Sequence, residues 1–407
     1  MVFRSVQSKC LSQGQLFIVI RATDDYVANL ASVVRGISQA DFIPLHAPTF
    51  RGREEEYVVD CIRSTFVSSV GEYVSKFEKL ICDYTGAKFS VAMSSGTCAL
   101  QLALEVAGIG RGDEVVVPAL SFAATAASVV HAGAIPHFVD VDAHTWGMSS
   151  SFLEDYLLAI SFIRDGRMIN KITGRPISAI VPMHTFGHPV DMFPLLDFAS
   201  SHGLVVIEDA AEALGSQYCG EFAGTLGDLG VYSFNGNKIL TTGSGGMIVT
   251  DNESLYRKAR HVSTTAKVPH PYRFIHDEVG HNYRMSNLNA ALGVAQMEYI
   301  DQTVDRHRGL FTRYSAKLSS LDWCSVREEP HNARSNYWLQ AITLKEPNPE
   351  VIDAVISGLS DLGIQSRPVW EPLPQLLPYQ AMPCSSIDVT LRLAKSIINI
   401  PSSIDPE

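Results

Sequence analysis

From about Phe89 to Met247, short apolar or β-branched runs alternate with helical patterns, and no other feature limits the possible folds as much. Phe89 to Met93 reads as a strand, Cys98 to Val106 as a helix and Glu114 to Val117 as the next strand. Further strands are expected at His137 to Val141, Ile177 to Met183, Leu204 to Glu208, Val231 to Phe234 and Gly246 to Val249, with a helix at Pro194 to His202. Successive parallel strands need crossover helices, so the expectation is an α/β fold with a mostly parallel sheet covered on both faces. Ligands of such sheets bind beyond the carboxyl ends of the strands. Ser94, His184 and Asp209 each follow a strand at that end.

After about Met285 the rhythm changes. One long helix is expected from Asn287 through roughly Ser319, then strand-like pieces such as Tyr337 to Leu344 and a helix over Pro349 to Leu362, which together read as a smaller α+β domain. A chain of 407 residues fits that division. We divide it into a helical extension over 1–42, a large domain over 43–285 and a small C-terminal domain over 286–407.

The formal net charge is −11 and there is no dense Lys/Arg block, so neither a nucleic-acid backbone nor an anionic membrane is the expected partner. A small molecule is, and any phosphate on it must be held by local backbone amides and a few placed side chains. Seven cysteines without regular spacing argue against a disulfide framework and a zinc site, and they read as reduced thiols of a cytoplasmic protein. No metal is expected. No apolar run approaches the ~20 residues of a membrane span, and Leu16 to Ile20 is far short of an export segment.

Three segments carry chemistry. Met93-Ser94-Ser95-Gly96-Thr97 joins a strand to a helix, where amides and hydroxyls converge on an anion; a plain Ser/Thr helix cap is the bland reading and, on this segment alone, the better one. Asp209 closes the apolar run from Leu204 and could keep a pyridine nitrogen protonated; as a helix cap it would look the same. Lys238 follows Tyr232-Ser233-Phe234-Asn235-Gly236-Asn237 in a turn and precedes Thr241-Thr242-Gly243-Ser244-Gly245-Gly246. A lysine there can form an imine with an aldehyde. Alone it would be a solvated loop lysine; its order after a phosphate-type turn and a strand-end aspartate gives it weight. Gly108, Gly110 and Gly112 form a Gly-x-Gly-x-Gly, but between a helix and a strand, so a nicotinamide site is the weaker reading. His276-Asp277-Glu278 reads as loop contacts, Arg51 to Glu56 as a solvated helix start, and Tyr337-Trp338 as core of the small domain.

The combination resembles the DegT/DnrJ/StrS family, fold-type I enzymes that use pyridoxal 5'-phosphate to aminate keto sugars. The resemblance runs from about Ile43 to Ser403 through Ile43-Pro44-Leu45, Gly71 with Phe77-Glu78, Ser95-Gly96-Thr97, Pro118-Ala119-Leu120-Ser121-Phe122, Glu208-Asp209-Ala210-Ala211-Glu212-Ala213-Leu214-Gly215, Ser233-Phe234 with Lys238, and Gly280-His281-Asn282-Tyr283-Arg284. It implies a large domain with a mostly parallel seven-stranded sheet. It also implies Lys238 as the imine-forming lysine, Asp209 as the partner of the pyridine nitrogen, Gly96, Thr97 and Ser233 at the phosphate, Phe122 against the ring, and Glu212 beside the ring and its hydroxyl. Asn282 would reach the phosphate in a neighbouring subunit, which implies a homodimer with shared sites.

Within the family the chain looks like the makers of 4-amino-4,6-dideoxy sugars for legionaminic-acid and bacillosamine-type glycans, through Phe66-Val67-Ser68-Ser69-Val70-Gly71, Ser233 to Lys238, and His276-Asp277-Glu278-Val279-Gly280. That implies transfer of an amino group from L-glutamate to C4 of a UDP- or GDP-linked 4-keto-6-deoxy sugar, N-acetylated, for bacterial surface polysaccharide such as O-antigen. Phe66, Ser68 and His184 are the candidate substrate contacts, with a satisfied core histidine as the other reading of His184. Two positions depart from the family: Ser244 stands where relatives often have Gly or Glu, and Pro374 where many have His. Other chemistry on the same cofactor, amination at C3, and a non-catalytic regulatory protein are the alternatives.

Overall fold

Val115, Val116, Val117, Ala179, Ile180, Val206 and Ile207 are all at most 2% exposed, so consecutive residues on their strands face buried layers on both sides. This computed structural model describes residues 13–403, with side chains from residue 23, and the first twelve residues of the expected N-terminal extension lie outside the described residues. Helices α1 (Gln13–Arg35), α2 (Glu54–Ser64) and α3 (Glu72–Thr85) lead into β1 (Phe89–Met93), α4 (Gly96–Val106), β2 (Glu114–Pro118), α5 (Ala123–His131) and β3 (Ile135–Val139). There follow α6 (Ser150–Ile160), β4 (Ser161–Arg164), β5 (Arg167–Asn170), β6 (Pro176–Ile180), α7 (Met192–His202), β7 (Val205–Asp209), the short β8 (Gln217–Tyr218) and β9 (Glu221–Phe222), β10 (Leu229–Ser233), β11 (Gly246–Thr250) and α8 (Glu253–Val262). Then come α9 (Asn287–Met297), α10 (Ile300–Leu318), α11 (Pro349–Asp361) and α12 (Asp388–Ala394). The strands Cys324–Val326, Gln340–Leu344, Ile397–Ile400 and Arg367–Pro368 pair in that order as a separate antiparallel sheet.

The large sheet runs β1-β11-β10-β7-β6-β2-β3. From β10 to β3 all neighbours are parallel, and β11 lies antiparallel to both β1 and β10. The seven strands on this path are the seven expected, and the mostly parallel sheet is the one the resemblance implies. Two further strands were not expected: β4 and β5 form a hairpin that joins the edge of β6 and makes the sheet nine-stranded. The signal was present in Asp165-Gly166, whose φ values of 52° and 74° give the tight turn that two-residue hairpins favour.

The single long helix expected from Asn287 is two helices. Glu298 caps α9, Tyr299 leaves helical geometry at φ −135° and ψ 23°, and α10 starts at Ile300. The break is tied down by Glu54, which was expected to be solvated but is 5% exposed. Its carboxylate accepts from Gln296 Nε2 at 2.7 Å and from the Tyr299 hydroxyl. The kink frees α9 to pack on α3, where Gly293 touches the Phe77 ring so closely that a Cβ would come within 2.7 Å of it. Helix α10 turns instead toward a different core: Leu30 and Val34 of α1 pack with Leu310, Tyr314, Val355, Leu359, Ile398 and Ile400.

Leu30 is fully buried in that cluster. We expect Leu30→Ala to lower the free energy of unfolding by about 2–5 kcal/mol in urea titrations. A loss near zero would mean that α1 does not share the core of the small sheet.

Candidate active site

Beyond the carboxyl ends of the strands lies a cavity of about 260 Å³, to which the turns after β1, β7 and β10 all contribute. Ser95 caps α4, its hydroxyl oxygen accepting from the Cys98 amide at 3.1 Å, so the first turn of the helix opens toward the cavity. The turn is held from outside. The Ser94 amide donates to the Tyr283 carbonyl at 2.7 Å, and Arg284 donates to Glu78 Oε1 at 2.7 Å, which also accepts from the Ala92 amide. Gly96 and Gly246 permit the close approach: a Cβ on Gly96 would come 2.9 Å from Ser233, and one on Gly246 within 2.6 Å of the Ser95 backbone. Gly96, Thr97, Ser233, Ser244 and Gly245 therefore meet at one end.

At the floor stands Asp209, 4% exposed. The Thr125 hydroxyl donates to its Oδ2 at 2.7 Å, and the Ala211 amide to its Oδ1 at 3.2 Å. Thr125 is itself 2.6 Å from the Ser121 hydroxyl. Burial pushes the Asp209 carboxyl above its usual range, against the pull of those donors and of Lys238. No cation lies within ion-pair distance of it among the described residues.

Lys238 reaches in from the turn after β10. Its Nζ donates to Glu212 Oε1 at 3.0 Å and lies 3.9 Å from the centre of the Trp338 ring. Glu212 is 3% exposed; its Oε2 accepts from the Phe186 amide at 2.8 Å, and burial raises its carboxyl also. The Trp338 indole donates to the Asn237 carbonyl at 2.6 Å, and Asn336 Nδ2 donates to the carbonyls of Glu212 and Leu214 at 2.9 Å each. Gly187, at φ +90°, is what admits Asn336, since a Cβ there would meet its Oδ1 at 1.8 Å. Phe122 borders the cavity, half exposed, 6.2 Å from Trp370 between ring centres.

Lys238, Asp209, Gly96, Thr97, Phe122, Glu212 and Ser233 thus converge on one space. His184 does not reach it. It is fully buried behind Asp209, its Nδ1 accepts from the Val190 amide at 3.1 Å, and its Nε2 lies 2.9 Å from Glu208 Oε2. With Nδ1 accepting, the proton belongs on Nε2 and is donated to Glu208. Both ring nitrogens are committed, so direct substrate contact by His184 is replaced by a core role. Phe66 and Ser68 also stay outside the cavity, with the Phe66 and Ser68 carbonyls bonded to Asn287. Asn282 is exposed on the surface, bridged by its backbone to Thr264.

Thr125, Ser121 and Trp338 were missed as parts of the site. Thr125 stands four residues after Ser121, a helical spacing beside the Ser121-Phe122 motif; Trp338 carries no sequence signal, being read as core, which it also is at 3% exposed. His261, not His276, is the histidine beside the two loop acids: its Nε2 lies 2.7 Å from Asp277 Oδ1 and 3.8 Å from Glu278 Oε1, on the surface.

A carboxylate on the floor, a lysine on the wall and a helix start bordered by glycines and hydroxyls at one end match the donor set of a phosphorylated pyridine aldehyde. The comparisons agree with that fit. The family model described as DegT/DnrJ/EryC1/StrS aminotransferases matches residues 48–405. The chain is 39% identical over 363 residues to the GDP-perosamine synthase of Caulobacter vibrioides, covering 88% of this chain and 93% of that one. It is 37% identical over 361 residues to the GDP-perosamine synthase of Escherichia coli O157:H7, covering 89% and 93%. Among solved structures, a DegT DnrJ EryC1 StrS aminotransferase from Brucella abortus superposes with a TM-score of 0.77 at 28% identity, covering 86% of this chain and 90% of that one.

The raised carboxyl of Asp209 has a consequence without any ligand. Its folded pKa lies above the ordinary 3.8, so the stability it contributes is full below 3.8 and is lost as the pH rises through the raised value. We expect Asp209→Asn to melt higher than the parent at pH 7 to 8 when both are free of cofactor, with the gap closing toward pH 4. Equal melting temperatures across that range would show that the carboxylate is not strained by its burial.

Proposed function

The chain belongs to the DegT/DnrJ/EryC1/StrS aminotransferase family, and from that membership we propose that it moves an amino group from L-glutamate to C4 of a nucleotide-linked 4-keto-6-deoxy sugar. At the coarser level it is a pyridoxal-phosphate-dependent nucleotide-sugar aminotransferase. The observation that carries the reading is that Lys238, Asp209 and the helix start at Gly96 all line one cavity. Bound there, pyridoxal 5'-phosphate supplies a carbonyl carbon for the amine and a ring that withdraws electrons.

The residues divide the remaining work. Asp209, a carboxylate in a site that disfavours its charge, would gain most from a proton held on a ring nitrogen, and Thr125 holds its Oδ2. Lys238 Nζ takes a proton from the amine-bearing carbon of the donor and returns one to C4 of the sugar. Glu212 holds that nitrogen in place at 3.0 Å and, with its carboxyl raised, is suited to share its proton. Gly96, Thr97 and Ser233 would hold the phosphate, and Phe122 would lie against the ring. Glutamate leaves as 2-oxoglutarate, its keto oxygen taken from a water, and the sugar ketone oxygen is released as water, so one water is consumed and one returned.

GDP is the first nucleotide to test, because three relatives carry it in their names; a UDP-linked N-acetylated sugar of the legionaminic-acid type is the second, and we assign the product to surface polysaccharide such as O-antigen. A homodimer is supported by large apolar groups on the surface, with Val70 76%, Phe274 81% and Val279 90% exposed, the first of them on the segment with Phe66 and Ser68 and the last beside Asn282. In such a dimer these residues would complete the partner's site, which is the role left to Phe66, Ser68 and Asn282. Among the described residues no helix is long and apolar enough to cross a membrane. We assign the enzyme to the cytoplasm, where its free cysteines would stay reduced.

The visible spectrum of the purified protein tests this directly. The yellow colour of the loaded enzyme should bleach with L-glutamate and return on adding a GDP-linked 4-keto-6-deoxy sugar, or failing that the UDP-linked N-acetylated one. Lys238→Ala and Asp209→Ala should each lower turnover on the order of 10²–10⁴-fold, whereas Ser233→Ala should mainly weaken cofactor retention. Near-normal turnover in Asp209→Ala would remove the ring-nitrogen role, and bleaching without recovery on either sugar would reject the C4 keto-sugar substrate.

A further inference from the structure

A second cavity, of about 570 Å³, opens between the loop after β3 and the small sheet, and none of the residues given catalytic or binding roles above lines it. Its wall follows from strand periodicity. Ser325 and Thr343 are cross-strand partners, and Arg327 and Lys345 stand two residues beyond them, so all four belong to one face of the sheet. Arg392, from α12, adds a third cation. Glu328 is the one acid among the lining residues, leaving the cavity net positive.

Arg327 is the unusual member. Its guanidinium lies over the Trp146 ring at 4.4 Å, and its Nε and Nη2 are buried with no hydrogen-bond partner. Burial lowers its pKa to about 10, although Asp142 and Glu328 are near enough to oppose that. Neither forms an ion pair with it. By contrast Arg284 holds Glu78 at 2.7 Å, and Arg308 holds Glu329 at 2.7 Å. A buried cation without an acceptor is costly, and native proteins usually supply one.

We propose that this cavity binds a phosphoryl group, with Arg327 as the main ligand, Arg392 and Lys345 neutralising the second charge, and the Ser325 and Thr343 hydroxyls as further donors. A planar guanidinium with one face covered by an indole and its Nε and Nη2 without partners has the donors for an oxyanion in two-point geometry, which a turn of the side chain toward the cavity would present. The same chemistry would accept free inorganic phosphate or the phosphoryl group of a sugar phosphate, and the volume admits the larger ligand.

Calorimetric titration of the cofactor-loaded enzyme, whose own phosphate site is then filled, distinguishes these cases. Inorganic phosphate and a hexose phosphate are titrated separately at constant ionic strength set with chloride. Binding that weakens about tenfold in Arg327→Gln, and measurably in Arg392→Gln, with turnover unchanged, is the expected result; the tighter of the two ligands identifies the source. If Arg327→Gln does not fold, the exposed Arg392 carries the test alone. Binding unaffected by either change places the anion in the catalytic cavity and overturns the proposal. So does a lack of heat with both ligands at millimolar concentration, which would leave Arg327 as a structural cation on Trp146.

Discussion

Burying the Asp209 carboxylate costs free energy that the groups around it must offset, and most of the active-site architecture follows from that requirement. The strand β7 carries it to the floor of the cavity, Thr125 and the Ala211 amide satisfy one lone pair on each oxygen, and among the described residues no cation forms an ion pair with it. What remains is a site that favours a positively charged partner. The same burial acts on Glu212, but there the chain supplies its own cation in Lys238. The two carboxylates therefore have different chemistry despite similar exposure. One is paired internally, and the other is left for a ligand.

Behind this pair sits a second buried set that never meets the cavity. Glu208 accepts from His184 and from the amides of Gly224, Leu226 and Gly227, which fixes the β7 strand end and the loop that follows. Alternation along β7 puts Glu208 and Asp209 on opposite faces of the sheet. A strand slipped by one residue would exchange their roles. The His184–Glu208 bond is thus part of what keeps Asp209 facing the cofactor space. The segment leading into the small sheet contributes through Asn336, which binds the carbonyls of Glu212 and Leu214, and Trp338, which binds that of Asn237 and covers the Lys238 ammonium. The lysine is held by residues from two distant parts of the chain.

Much of this could be read from sequence wherever the period of the chain is short and the pattern unmixed. The seven strands of the main path, the helix start at Gly96 and the order of Ser95, Asp209 and Lys238 all follow from alternation, glycine position and polar residues at strand ends. The β4–β5 hairpin escaped notice because four-residue strands carry little periodic signal, though its Asp165-Gly166 turn was in view. The break at Tyr299 could not be seen, since helical periodicity runs through it and the residue that pins it, Glu54, lies 245 positions away.

The sequence by itself determined the α/β sheet and the positions of the turn at Gly96, of Asp209 and of Lys238 at strand ends, because each depends on neighbours within a few residues. Tertiary structure alone decided that Thr125 holds Asp209, that His184 is spent on Glu208 instead of reaching a substrate, that Trp338 lies on Lys238, and that Arg327 is buried without an acid. Each of those is a contact between residues far apart in the chain, and its energy exists only once the backbone has been folded to bring them within a few ångströms.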